Sequence, residues 1–130
     1  DVLAIPGARP VLSHTGITRH CPSPRNLPDD LVADIAQAGG IIGVGFWSDV
    51  VCGSTPTDVA QAIAAAIEVA GDDHVSLGSD WDGSVDTPFD AAHLSALTQA
   101  LLDQGLSEVQ IAKVMGGNMM AYLAETLPEN

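Results

Sequence analysis

Apolar residues along this chain come in short compact runs separated by helix-spaced stretches. The compact runs are "RPVLSH" (9–14), "GIIGVGFW" (40–47) and "HVSLGSD" (74–80). They read as strands covered on both faces, because apolar residues fill both sides of the pleat. "LPDDLVADIAQAGG" puts Leu31, Val32, Ile35 and Ala36 on one helical face, with acidic residues in the first turn and Gly39-Gly40 as a stop. "TPTDVAQAIAAAIEVAG" spaces Val59, Ile63 and Ile67 four apart, with Thr57 as the expected N-cap and Gly71 ending the helix. "DAAHLSALTQALLDQG" repeats the spacing at Leu94, Leu97 and Leu101 and stops at Gly105. A closing pair follows: Ser107 is expected to cap "SEVQIAKVM", and "GGNMMAYLAETL" ends the pattern.

The order is β-α-β-α-β-α with two closing helices, an α/β pattern that implies a parallel sheet. A complete (β/α)8 barrel takes roughly 250 residues. The 130 residues here therefore read as one domain, 1–130, either the last three units of such a barrel or a small open sheet. An open three-stranded sheet leaves two unpaired edges, so self-association through those edges is expected. The opening "DVLAIPGARP" reads as the tail of a helix followed by a loop, as in the later part of a longer protein.

Charge narrows the partners. Lys and Arg number 4 against 17 Asp and Glu, a net charge of −13. That balance disfavours nucleic acid, whose phosphates need Lys and Arg, and anionic membrane surfaces. No apolar run approaches the ~18 residues of a membrane span. No basic n-region marks an export signal, so a soluble segment is expected. Cys21 and Cys52 fit no metal-binding spacing, and stand as two free thiols or as one bridge.

In parallel α/β folds, function gathers at the carboxyl ends of the strands. The three runs end in Ser13-His14, Phe46-Trp47 and Ser79-Asp80. An imidazole and a carboxylate at equivalent strand ends are placed to face one shared site. "VSLGSDWDGSVD" (75–86) is open to three readings: a calcium loop, a plain turn and a catalytic rim. Calcium loops of the EF-hand type need Gly at the sixth position and Glu at the twelfth. Gly83 comes fourth from Asp80 and no Glu lies in reach, so the turn and the rim remain. His14 by itself reads equally as a hydrogen-bonded structural residue. His20 in a loop, His74 at the amino end of the third run and His93 on a helix are not placed as ligands. Phe46 and Trp47 line a pocket or pack in the core. Arg25, in "CPSPRNLPDD", suits a two-pronged grip on a carboxylate, or else a salt bridge to Asp29 or Asp30.

Five blocks in order, "PVLSHT", "PRNLPDDL", "GGIIGVGFW", "DHVSLGSDWDG" and "KVMGGNMMAYL", resemble the carboxyl-terminal part of the membrane (renal) dipeptidase family. The resemblance runs over nearly the whole chain. It implies the last three β/α units plus closing helices of an amidohydrolase-like (β/α)8 barrel, in a zinc metallopeptidase that hydrolyses dipeptides. It implies that His14 ligates one of two zinc ions and that Arg25 binds the carboxylate end of the dipeptide. By the same resemblance Asp80 faces the zinc pair and the substrate's amino end and helps proton transfer, with Asp82 and Gly83 shaping the turn. Asn118 is expected to cap the last helix. In such a mechanism two zinc ions bridge a hydroxide whose pKa they lower, and a carboxylate shuttles a proton to the leaving amine. The family's H-x-D pair, bridging Glu and second His have no counterpart in the sequence. The chain alone is thus expected to bind zinc weakly and to hydrolyse nothing. The rival expectation is a non-catalytic barrel remnant that acts as a binding or assembly module.

Overall fold

The computed structural model describes residues 2–128. Three strands, β1 (Val11–Thr15), β2 (Ile41–Val44) and β3 (Val75–Leu77), form a parallel sheet in the order β1-β2-β3. Six α-helices are seen among the described residues: α1 (Asp29–Gln37), α2 (Ser48–Val51), α3 (Pro56–Ala70), α4 (Leu94–Asp103), α5 (Glu108–Ala112) and α6 (Asn118–Thr126). The architecture is the expected one, a partial barrel of β/α units with closing helices. The one-turn helix α2 has no counterpart in the hydrophobic periodicity. It is too short to show a period, and it hangs on the Trp47 carbonyl, which accepts from the N–H of Val50 and Val51.

The strands are shorter than the apolar runs that announce them. The ladder continues past them by single bonds: Gly45 donates to the Thr15 carbonyl and Gly78 to the Val44 carbonyl. The segment 2–10 holds one 3-10 turn, Val2–Ala4, where the tail of a helix was expected.

Packing follows from the periodicity. Central β2 is buried along its whole length, with Ile41, Ile42 and Val44 inside. Helix α3 turns Val59, Ile63 and Ala66 onto the sheet and onto α1 and α4. Leu97 and Leu101 of α4 are fully buried in the same core. Each such aliphatic side chain contributes roughly 1.5–3 kcal/mol by leaving water, so helix spacing and core are one fact.

The helix ends show where local chemistry overrides a simple reading. The N-cap of α3 is Thr55, not Thr57. Pro56 takes the first helical position, where its fixed φ fits and its missing N–H costs nothing, so the cap falls just before it. Thr55 Oγ1 accepts from the Asp58 N–H, and the Asp58 carboxylate accepts from the Thr55 N–H. Ser107 caps α5 as expected, with Gln110 as its reciprocal partner. Asn118 is no cap. It has helical φ and ψ, is buried, and donates through Nδ2 to the carbonyls of Asp72 and Val75, both at 2.7 Å. It ties α6 to the start of β3, because two strand-entry carbonyls with no ladder partner lie in its reach. The cysteines resolve to one bridge, Cys21–Cys52, joining the loop after β1 to the end of α2.

Replacing Thr55 by Ala is expected to lower stability by about 1 kcal/mol in urea unfolding, the usual worth of a lost cap. The Asp58 carboxyl is held below its ordinary value first by the Thr55 hydroxyl and then by the N–H groups of Thr55 and Ser54. A depressed folded value means stability that is present above the ordinary carboxylate range and lost as pH falls through the depressed one. The stability gap between the native chain and Asp58→Asn is therefore expected to narrow on acidification. A gap that stays constant from pH 7 to pH 3 would contradict this.

Candidate functional site

Leu12 pairs with Ile42 and Thr15 with Val44, so Ser13 and His14 together face the single residue Gly43. That is a β-bulge, which re-aims side chains. Its cause is visible next door. A Cβ at Gly43 would run into the Ser13 carbonyl oxygen, and so would a Cβ at Gly78 beyond β3. The absence of side chains at both positions lets β1 curl over β2 towards β3.

His14, half-buried, leaves the sheet from this bulge. Its Nδ1 lies 2.8 Å from Ser13 Oγ, which leaves Nε2 for a metal or a proton. The ring meets Trp47, with centroids 5.9 Å apart. Trp47 is itself buried, and the space a Gly45 side chain would need is filled by its indole.

Arg25 comes to the same place from the loop after β1. That loop is closed at its base by a parallel bridge between Ile17 and Leu27. Arg25 Nη2 donates to the His14 carbonyl at 3.4 Å, and the guanidinium carbon lies 5.7 Å from the Trp47 ring centroid. Neither expected salt bridge forms. Arg19, not Arg25, holds Asp29, at 2.7 Å, and it also reaches Glu68. The other cations are also paired, Arg9 with Glu125 and Lys113 with Asp72 and Asp73. Among the described residues Arg25 is the cation without a carboxylate partner, in a chain with 17 acidic residues.

Asp80 follows β3 at the same end of the sheet. The structure joins His14 and Arg25 directly, and no contact among the described residues ties the Asp80 side chain to either. The Asp80 backbone is left-handed, φ 60°, and its carbonyl accepts from the Gly83 N–H at 2.9 Å. A Cβ at Gly83 would strike the Asp80 carboxylate, so Gly83 lets the turn close over it. Beside this turn, Phe46, Trp81 and Phe89 form an aromatic cluster, and Trp81 Nε1 donates to the Phe89 carbonyl.

The remaining histidines lie outside the site. His20 bonds the Val51 carbonyl, His74 the Gly40 carbonyl, and exposed His93 pairs with Asp90. A cavity of about 280 Å³ lies at the amino end of the sheet, lined by Arg9, His74, Tyr122 and Glu125 among others. It is far from the chemistry, and its Arg9 is occupied by Glu125 and the Gly39 carbonyl. Among the described residues no group of three or more His, Cys, Asp or Glu converges as a metal cage. A catalytic zinc takes three protein ligands. His14 fits one ligand position of such a centre, and the donors present do not fit the whole.

Left-handed backbone penalises any Cβ by roughly 1 kcal/mol, and Ala lacks the short polar group that lets Asp tolerate it. Asp80→Gly is thus expected to be more stable than Asp80→Ala by about 1 kcal/mol, the reverse of the usual order. Equal urea midpoints for the two variants would refute this.

Comparison with known proteins bears on all of this. The family model described as membrane dipeptidase, peptidase family M19, matches residues 1–127. Dipeptidase ataJ of Aspergillus terreus is 32% identical over 133 residues, covering 96% of this chain and 32% of the relative. The crystal structure of a dipeptidase AC superposes with a TM-score of 0.84 at 27% identity, over 93% of this chain and 37% of that one. A metallo peptidase from Rhodobacter sphaeroides, liganded with a phosphinate mimic of the dipeptide L-Ala-D-Ala, gives a TM-score of 0.81 at 28% identity, over 90% and 36%. The chain thus spans about a third of the length of these relatives. No helix among the described residues is long and apolar enough to cross a membrane. The ordered sequence blocks, the parallel units and the match over residues 1–127 lead to one conclusion: the chain belongs to the membrane dipeptidase family, peptidase family M19.

Proposed function

We propose that this chain carries the carboxylate-gripping part, and one zinc ligand, of a dipeptide-hydrolysing metallopeptidase site. The observation that carries the reading is Arg25, a guanidinium without a carboxylate partner among the described residues, laid on Trp47 beside His14 at the strand ends. Left in place by a ring and a backbone carbonyl, it keeps donors for an incoming carboxylate. His14 Nε2 would serve as one ligand of a zinc ion whose other ligands come from outside this donor set. Asp80 would exchange a proton at the substrate's amine side. Support comes from the family membership and from the relatives named as dipeptidases. Among the described residues no group of three or more ligating side chains converges, so no hydrolytic step is assigned to this chain alone. We also propose that β1 and β3, each with one strand neighbour among the described residues, pair with further strands.

Calorimetric zinc titration of the 130-residue chain is expected to show weak binding that His14→Ala abolishes, with no dipeptide turnover. Turnover by the pure chain would overturn the incomplete centre, and binding that survives His14→Ala would remove His14 from it. Hydrogen bonds to a charged group are worth about 1.5–3 kcal/mol. Arg25→Ala is thus expected to weaken dipeptide binding, followed by NMR, about tenfold or more. Unchanged affinity would remove Arg25 from the reading. For the edges, light scattering is expected to report species larger than one chain, and a monodisperse monomer would argue against edge pairing.

A further inference from the structure

We infer that Asn26 is a positioning residue: its buried side-chain amide ties the backbone beside Arg25 to the helical turn that follows Trp47, and so sets the guanidinium over the indole. The inference deepens the reading above and rests on it for the identity of the ligand. Asn26 is 7% exposed, in a loop whose neighbour Arg25 is exposed. Its Nδ2 donates to two carbonyls, Cys21 and Val50, each at 2.9 Å. One carbonyl belongs to the start of its own loop. The other belongs to α2, whose first turn hangs on the Trp47 carbonyl. The amide therefore connects the residue next to the guanidinium with the element that begins at the ring under it.

Its orientation is fixed by chemistry. Two carbonyl oxygens face the amide at hydrogen-bonding distance, so the NH2 must point to them and Oδ1 away. Oδ1 is then buried without a hydrogen-bond partner, against Gly16, where a Cβ would meet both it and the Val50 carbonyl. An unpaired buried acceptor is a cost. An apolar side chain would fill the same space without it, but could not bridge two carbonyls of separate segments. The loop's other ties to α2, the Cys21–Cys52 bridge and the bond from His20 to the Val51 carbonyl, lie on its amino side. Among the described residues Asn26 is the tie to α2 on the carboxyl side, adjacent to Arg25.

The test reads Arg25 directly. In the folded chain the ring current of Trp47 is expected to displace the Arg25 Nε–H resonance, and Trp47→Leu defines the undisplaced position. We expect Asn26→Ala to move the resonance most of the way to that position. Thr18→Ala, which removes a hydroxyl bond to the Leu27 carbonyl in the same loop, is expected to leave it where it was. Titration with glycyl-glycine, followed on the same resonance, should be about tenfold weaker in Asn26→Ala, the order expected when a side chain must be ordered on binding. An Arg25 resonance and dipeptide affinity unchanged in Asn26→Ala would overturn the positioning role. A native chain that ignores the dipeptide, yet shows the resonance shift on mutation, would overturn the functional reading and leave the positioning intact. If Asn26→Ala does not give a folded circular dichroism spectrum, Asn26→Ser, which keeps one donor, is judged by the same criteria.

Discussion

The Ser13 carbonyl, pressed into the space that side chains at Gly43 and Gly78 would occupy, is the contact on which the site depends. It allows two residues of β1 to face one of β2, and the bulge turns His14 out at the carboxyl rim. A regular ladder would continue the alternation of β1 unbroken and aim His14 differently. The same approach draws the end of β1 towards the end of β3, where Asp80 follows two residues after Gly78. Steric permission at two glycines thus precedes any electrostatic consideration.

On that rim the remaining parts are attached from the core outward. Phe46 and Trp47 are anchored in the core, and α2 hangs from Trp47. The Cys21–Cys52 bridge and the Asn26 amide fasten the long loop after β1 onto α2. Only then does Arg25, exposed at the loop's surface, find a defined place. Rigid elements set the position of a side chain that would otherwise sample many rotamers, and ordering it beforehand is what lowers the cost of binding.

The sequence made the large elements readable because each carries many residues of one period. Val59, Ile63 and Leu97, Leu101 announced their helices and proved to be core. Features that depend on one or two residues were not readable in the same way. Thr55 and Thr57 are both acceptable caps in isolation, and Pro56 decides between them. Asn118 has the side chain of a cap, but its partners lie 43 and 46 residues away, beyond any local pattern. The pairing of Cys21 with Cys52 needed the fold to bring α2 back to the first loop. His14 and Asp80 stand out in the sequence as strand-end residues and Arg25 as a lone cation in a Pro-rich loop, and the structure brings His14 and Arg25 together. Asn26 carries no signal in the sequence, because an Asn in a Pro-rich loop looks like any turn residue. Trp47 was legible as apolar, but its shared contact with a cation and an imidazole was not.

Charge supplies the last step. Three of the four cations are neutralised by carboxylates of the chain itself, which leaves a strongly acidic surface with one open guanidinium among the described residues. Beyond a Debye length of about 8 Å in physiological salt, that surface acts weakly on any ligand. A zwitterionic dipeptide has no net charge to be attracted or repelled at long range, but it has two ends. Within the screened distance its ammonium would be tolerated over much of this surface, whereas its carboxylate would, on the proposed reading, be favoured at Arg25, the one unpaired guanidinium among the described residues. The acidic excess therefore does not recruit such a ligand. On that reading it would restrict where one end can settle, and the affinity at that point would depend on how firmly the guanidinium is held over Trp47.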